Sequence, residues 1–165
     1  MFGLFKKKTD DHIWVYGAKA NLAAVTTVSD ILLRGAKAVA QDPINGWTLE
    51  SELMGNLRSY EDELRKIKEA FKGLGSPKTS SELNQVKDSI DQFVAFGEIG
   101  FYWGKTHYND ASGGPGNRAK HEYGTAQSAA ISRVTNNATK FRDNAFKSSQ
   151  FAAVATEQLS KLGNR

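Results

Sequence analysis

Apolar positions recur at spacings of three and four along most of the chain and divide it into four helical stretches. In the first, about residues 11–41, Ile13, Gly17, Ala24, Val28, Ile31, Gly35 and Val39 track one face. Asp10 and Asp11 suit its N-terminus, and Asp42-Pro43 ends it. The second, about 48–73, is the most regular: Leu53, Leu57, Tyr60, Leu64, Ile67, Phe71 and Leu74 alternate steps of four and three, a coiled-coil-like seam, with Thr48 placed to cap it. Gly73, Gly75 and Pro77 stop this helix, and Thr79-Ser80-Ser81-Glu82 reads as a capping box opening a third, about 80–108. The core stripe there is Leu83, Val86, Ile90, Phe93, Gly97, Phe101 and Gly104. The run from Asp110 to Asn117, rich in glycine, predicts the longest loop.

A fourth helix, about 120–162, turns Tyr123, Ala130, Val134, Asn137, Phe141, Ala145, Ser148, Ala152 and Leu159 inward. This stripe of mostly small residues permits close approach, which makes it a natural partner for the bulky third helix. At about 1.5 Å per residue the fourth helix outreaches the second by several turns. The excess either folds back at Asn136-Asn137 or pairs with another subunit.

Four helices joined by short or modest connections predict an all-α, single-domain, antiparallel up-down-up-down four-helix bundle with a long C-terminal helix. The bundle domain covers 10–165, behind a flexible basic and apolar N-terminal segment, 1–9. A chain of 165 residues suffices for one core and is short for two. The absence of cysteine excludes disulfides, thiolate metal sites and cysteine nucleophiles. No stretch approaches the ~20 apolar residues of a membrane span, and the N-terminus places apolar residues before basic ones, the reverse of a secretory signal. A soluble, cytoplasmic protein is expected.

Charge sharpens this picture. The net +4 divides as +3 through Gln41, −2 through Leu74, −2 through Asp110 and +5 thereafter. With the first and fourth helices adjacent, one side of the bundle is basic and the other acidic, an arrangement that steers partners or favours self-association.

Candidate chemistry concentrates in residues 93–104, where aromatic rings and glycines surround a single carboxylate, Glu98. Gly100-Phe-Tyr-Trp-Gly-Lys-Thr106 ends like a phosphate-binding loop. It has three bulky residues between its glycines instead of four free ones, and it lies inside a helix, so the match fails. Helical phase puts Glu98 on a polar flank with Lys87, Asp91, Tyr102 and Lys105. His12, His107 and His121 lack metal-ligand spacing, no paired-carboxylate or nucleophile-elbow pattern occurs, and no catalytic residue, metal or cofactor is inferred. Asn21 and Asn137 occupy core positions as register-fixing polar residues.

The remaining feature is a second apolar flank on the third helix, formed by Phe96, Trp103 and His107. This flank either contacts the fourth helix or the N-terminal segment, or forms a protein-interaction surface, for which Trp and Tyr are suited because they bury much area at small entropic cost. The expected function is therefore non-enzymatic: protein–protein contact in self-assembly, as a homo-oligomer, or in a scaffold or adaptor role. Two other readings compete with it. Arg118, Lys120, Arg133, Lys140, Arg142 and Lys147 offer phosphate contacts for nucleic acid, and Phe2, Leu4, Phe5, Lys6, Lys7 and Lys8 offer contacts to an anionic membrane surface.

Overall fold

A computed structural model describes residues 8–162, and they are almost entirely helical. The elements are β1 (Lys8–Thr9), α1 (Asp11–Ala20), α2 (Leu22–Gln41), a 3-10 turn (Gly46–Glu50), α3 (Ser51–Gly55), α4 (Leu57–Leu74), β2 (Ser76–Pro77), α5 (Ser81–Ser112), α6 (Gly114–His121) and α7 (Gly124–Leu162). α7, with 39 residues, is the longest and is continuous through Asn136-Asn137. It outreaches α4, as expected, and the excess length packs on α5 and α6. α2 packs on α7 and on α4, and α4 on α5.

The first predicted helix is two. At Asn21 the side-chain amide donates to Gly17 O and the backbone N–H to Ala18 O, which interrupts the ladder. The break shifts the phase of α1 against α2, so Ile13, expected inside, is exposed and Trp14 is fully buried; in the first turn of α2 Ala24 is exposed and Val25 fully buried. Trp14 packs edge-on against Phe71 and donates its indole N–H to Gly75 O, fixing α1 to the end of α4. Asp11 accepts from the Thr79 hydroxyl and from the amides of Lys78 and Thr79 rather than capping its own helix, and these bonds, the Thr79 hydroxyl first, lower its carboxyl pKa.

The second stripe stands as expected, with Leu53, Leu57, Leu64, Ile67 and Phe71 buried. Asn56 separates α3 from α4, and Thr48 lies within the 3-10 turn instead of capping a helix. The cap of α5 is Ser80, whose Oγ accepts from Leu83 N, one residue later than the predicted box.

The run expected as the longest loop is helical on both sides of Gly113. α5 continues to Ser112 because Asp110 is tied to α7, as described below. Pro115 falls in the first turn of α6, where a missing N–H costs nothing. Gly116 backs onto the Ala111 carbonyl so closely that no side chain would fit. The same rearrangement leaves Tyr123, expected in the core, 88% exposed just before α7 begins.

Lys8 and Thr9, grouped by sequence with a flexible terminus, pair in parallel with Ser76 and Pro77. Phe2, Leu4, Phe5, Lys6 and Lys7 lie outside the described residues. Among the described residues no helix is long and apolar enough to cross a membrane.

Candidate interaction surface

The close contact of α5 with α7 follows from their side chains. Gly97, Gly100 and Gly104 face Ser148, Ala145 and Phe141 in turn. As residue numbers rise on one helix they fall on the other, so the pair is antiparallel. Ser148, fully buried, donates to Phe93 O at 2.8 Å, so even the polar residue in this seam is satisfied by its neighbour.

Along one edge of the seam runs a ladder of cationic contacts. Arg133 Nε donates to Asp110 Oδ2 at 2.8 Å. Lys140 Nζ lies 4.2 Å from the Trp103 ring centroid, and Lys147 Nζ lies 5.3 Å from that of Phe96. Each rung is one heptad from the next on both helices, about 10.5 Å apart at helical rise. Phe96 also stacks on Phe151, with centroids 5.8 Å apart and planes within 3°. The flank formed by Phe96 and Trp103 is thus largely taken up within the chain, covered by α7.

What remains outward lies one step around α5. Tyr102 is 56% exposed and meets Trp103 edge-on at 5.0 Å, while Ile99, 43% exposed, lies three residues after Phe96 and four before Trp103. On α7, Val154 is 42% exposed, one heptad beyond Lys147 and three residues from Phe151. Ile99 and Tyr102, neighbours at i,i+3, form a short solvent-facing apolar strip beside rings already fixed by packing and by cations.

His107, predicted with this flank, does not belong to it. It is fully buried, and its Nε2 lies 2.8 Å from Pro43 O, so it joins α5 to the turn after α2. The turn at Pro43 covers that end of α5. Desolvation lowers its pKa, outweighing the Pro43 bond and the Asp110 charge. Its neighbour Asp110 accepts from Asn137 Nδ2 at 2.7 Å as well as from Arg133, which supplies the partner that a buried asparagine requires. The role of Asp110 was missed by sequence because glycines follow it. A carboxylate one heptad after Trp103 was the available signal.

The six candidate nucleic-acid contacts do not form one surface. Arg133, Lys140 and Lys147 are the cations of the ladder, on the α5 side of α7. Arg142 pairs with Asp143 on another face, and Arg118 pairs with Glu122 at 3.8 Å at the end of α6. Lys120 is exposed on α6. Glu98 occupies the polar flank, where Lys68 of α4 donates to it at 3.2 Å. Among the described residues no cluster of three or more His, Asp or Glu is arranged to hold a metal.

No family model, curated protein or solved structure matches this chain.

Proposed function

We propose that the protein acts by protein–protein contact, in self-assembly or as a scaffold, through the outer face of α5 and α7. The observation that carries this reading is the exposure of Tyr102 and Ile99 directly beside the locked rings of Trp103 and Phe96. An apolar strip on rigid support binds with little loss of side-chain entropy, which is what distinguishes a contact surface from scattered exposed apolar residues. The role is non-enzymatic. The reading also takes α2, α4, α5 and α7 as an up-down-up-down bundle, supported by the packing of α2 on α4 and α7 and of α5 on the same two helices. In such a bundle the α5–α7 edge is a full-length side available to a partner. Nucleic-acid binding has weaker support, since three of its six cations are committed to rungs.

Sedimentation velocity and partner capture with the Ile99→Ser/Tyr102→Ser double variant test the proposal. Both positions are solvent-facing, so the variant is expected to fold with an unchanged melting temperature and to lose assembly or partner binding. Parent protein that stays monomeric at high concentration, and captures the same partners as the variant, would contradict it.

A further inference from the structure

A second surface lies on the other side of α5, apart from the α5–α7 face. Between α4 and α5 runs an open groove of about 940 Å³ with Phe71, Ile90 and Val94 in its floor. Along α5 it extends from Lys87 to Glu98, about 16 Å at helical rise. The two helices are antiparallel, since Gly97 meets Leu64 and Gly104 meets Leu57. Lys87 therefore lies at the end of the groove where α4 finishes, with Lys72, Gly73 and Gly75, and the Lys68–Glu98 pair lies toward the other end.

We propose that this groove binds a single acyl chain with an anionic head, as a free carboxylate, the chain on the apolar floor and the head beside Lys72 at the glycine end. Three observations lead to this class of ligand. The first is shape. The volume falls within the range of about 300–1,000 Å³ usual for small-molecule sites. Phe71 of α4 begins the apolar floor, and Ile90 and Val94, at i,i+4, continue it along α5, which suits a flexible chain laid between two helices.

The second is charge. Three lysines line the groove against two carboxylates, and both carboxylates are paired, Glu98 with Lys68 at 3.2 Å and Asp91 with Lys87 at 2.8 Å. Lys72 makes no ion pair among the described residues, so the surplus positive charge sits at the glycine end. An anionic head meets an uncommitted cation there, whereas a cationic one is repelled.

The third is Gly73. Gly75 has φ 70°, a conformation that favours glycine. Gly73 is helical, and a methyl group there would meet nothing within 4 Å, so neither its backbone nor its packing requires glycine. Glycine inside a helix costs stability relative to alanine. What it provides at position 73 is open access to the end of the groove, beside Lys72.

An NMR titration of the isotope-enriched full chain with decanoate, held below its micelle concentration, is expected to shift the amides of Lys72, Gly73, Ile90 and Val94 saturably. Decanol, with the same chain and no charge, is expected to bind about tenfold more weakly, and so is decanoate to Lys72→Glu. Gly73→Leu, whose Cβ meets no neighbour, is expected to keep the parent's melting temperature and lose the shifts at Ile90 and Val94. Absence of saturable shifts in the parent would overturn the proposal, as would unaltered affinity in Gly73→Leu or equal affinity for decanol. Shifts produced by vesicles of anionic phospholipid and not by decanoate would also overturn it, since the head would then belong to a lipid surface. None of these results bears on Tyr102 and Ile99, so the two proposals fail separately.

Discussion

Lys140 is seated over Trp103, its ammonium 4.2 Å from the ring centroid, and this contact is the middle rung of a ladder that fixes α5 against α7. The rung below it, Asp110 with Arg133, is of a different kind. Asp110 is nearly buried and also satisfies the buried amide of Asn137, whereas the side chain of Arg133 is 63% exposed.

The rungs should therefore differ in energy. Asp110→Ala leaves the Asn137 amide without its partner and is expected to cost about 1–3 kcal/mol. Lys140→Gln removes a half-solvated cation–π contact and is expected to cost no more than about 1 kcal/mol. Arg133→Ala, at a largely solvated ion pair, belongs with Lys140. Urea unfolding midpoints at constant m-value measure all three, and an Asp110→Ala effect no larger than the other two would remove Asp110 from this role.

Two glycines of α5 should respond to alanine in opposite directions. At Gly100 a methyl group would sit 3.5 Å from Ala145 N, ordinary contact, so helix propensity dominates and Gly100→Ala is expected to stabilise by about 0.5–1 kcal/mol. At Gly104 it would sit 2.9 Å from the Phe141 ring and 3.0 Å from Leu57, both buried and unable to yield. Gly104→Ala is expected to destabilise by about 1–3 kcal/mol. Thermal unfolding of the two variants side by side decides this, and shifts of the same sign would show the seam to be looser than described.

His107 predicts a pH dependence of known sign. Its folded-state pKa lies below the ordinary value of about 6.5, so between those two values the unfolded chain binds more protons than the folded one. Stability should fall as pH drops below about 6.5, by at most about 1.4 kcal/mol per pH unit from this group, and level off below the folded pKa. His107→Gln retains a donor for Pro43 O without titrating and should flatten that part of the curve. Unfolding free energies measured from pH 7.5 to 5 test this, with equal slopes in parent and variant as the contrary result.

The seam residues of α4 and the small stripe of α7 were readable because each lies in one uninterrupted helix, where spacing alone sets the face. Phase failed at Ile13 because the break at Asn21 depends on a local amide bond that competes with the helix. Glycine composition misled at residues 110–117. Gly116 is required there by close packing on the Ala111 carbonyl, and that closeness is visible only in three dimensions. For the surface, sequence located Phe96 and Trp103 on one flank and allowed their contact with the last helix, but not its partners, Lys147, Phe151 and Lys140. That cover leaves Ile99 and Tyr102 as the exposed side chains beside these rings, and hence as the proposed contact.

Photo-crosslinking from position 102 tests that last claim most directly. A photoreactive phenylalanine analogue replacing Tyr102 is compared with the same group replacing Glu63, which is also solvent-facing but lies on α4. A discrete crosslinked species from position 102, to a second copy or to a partner, and none from position 63, is the predicted result. Equal crosslinking from both positions, or none from position 102, would contradict the assignment of the α5–α7 face as the contact surface.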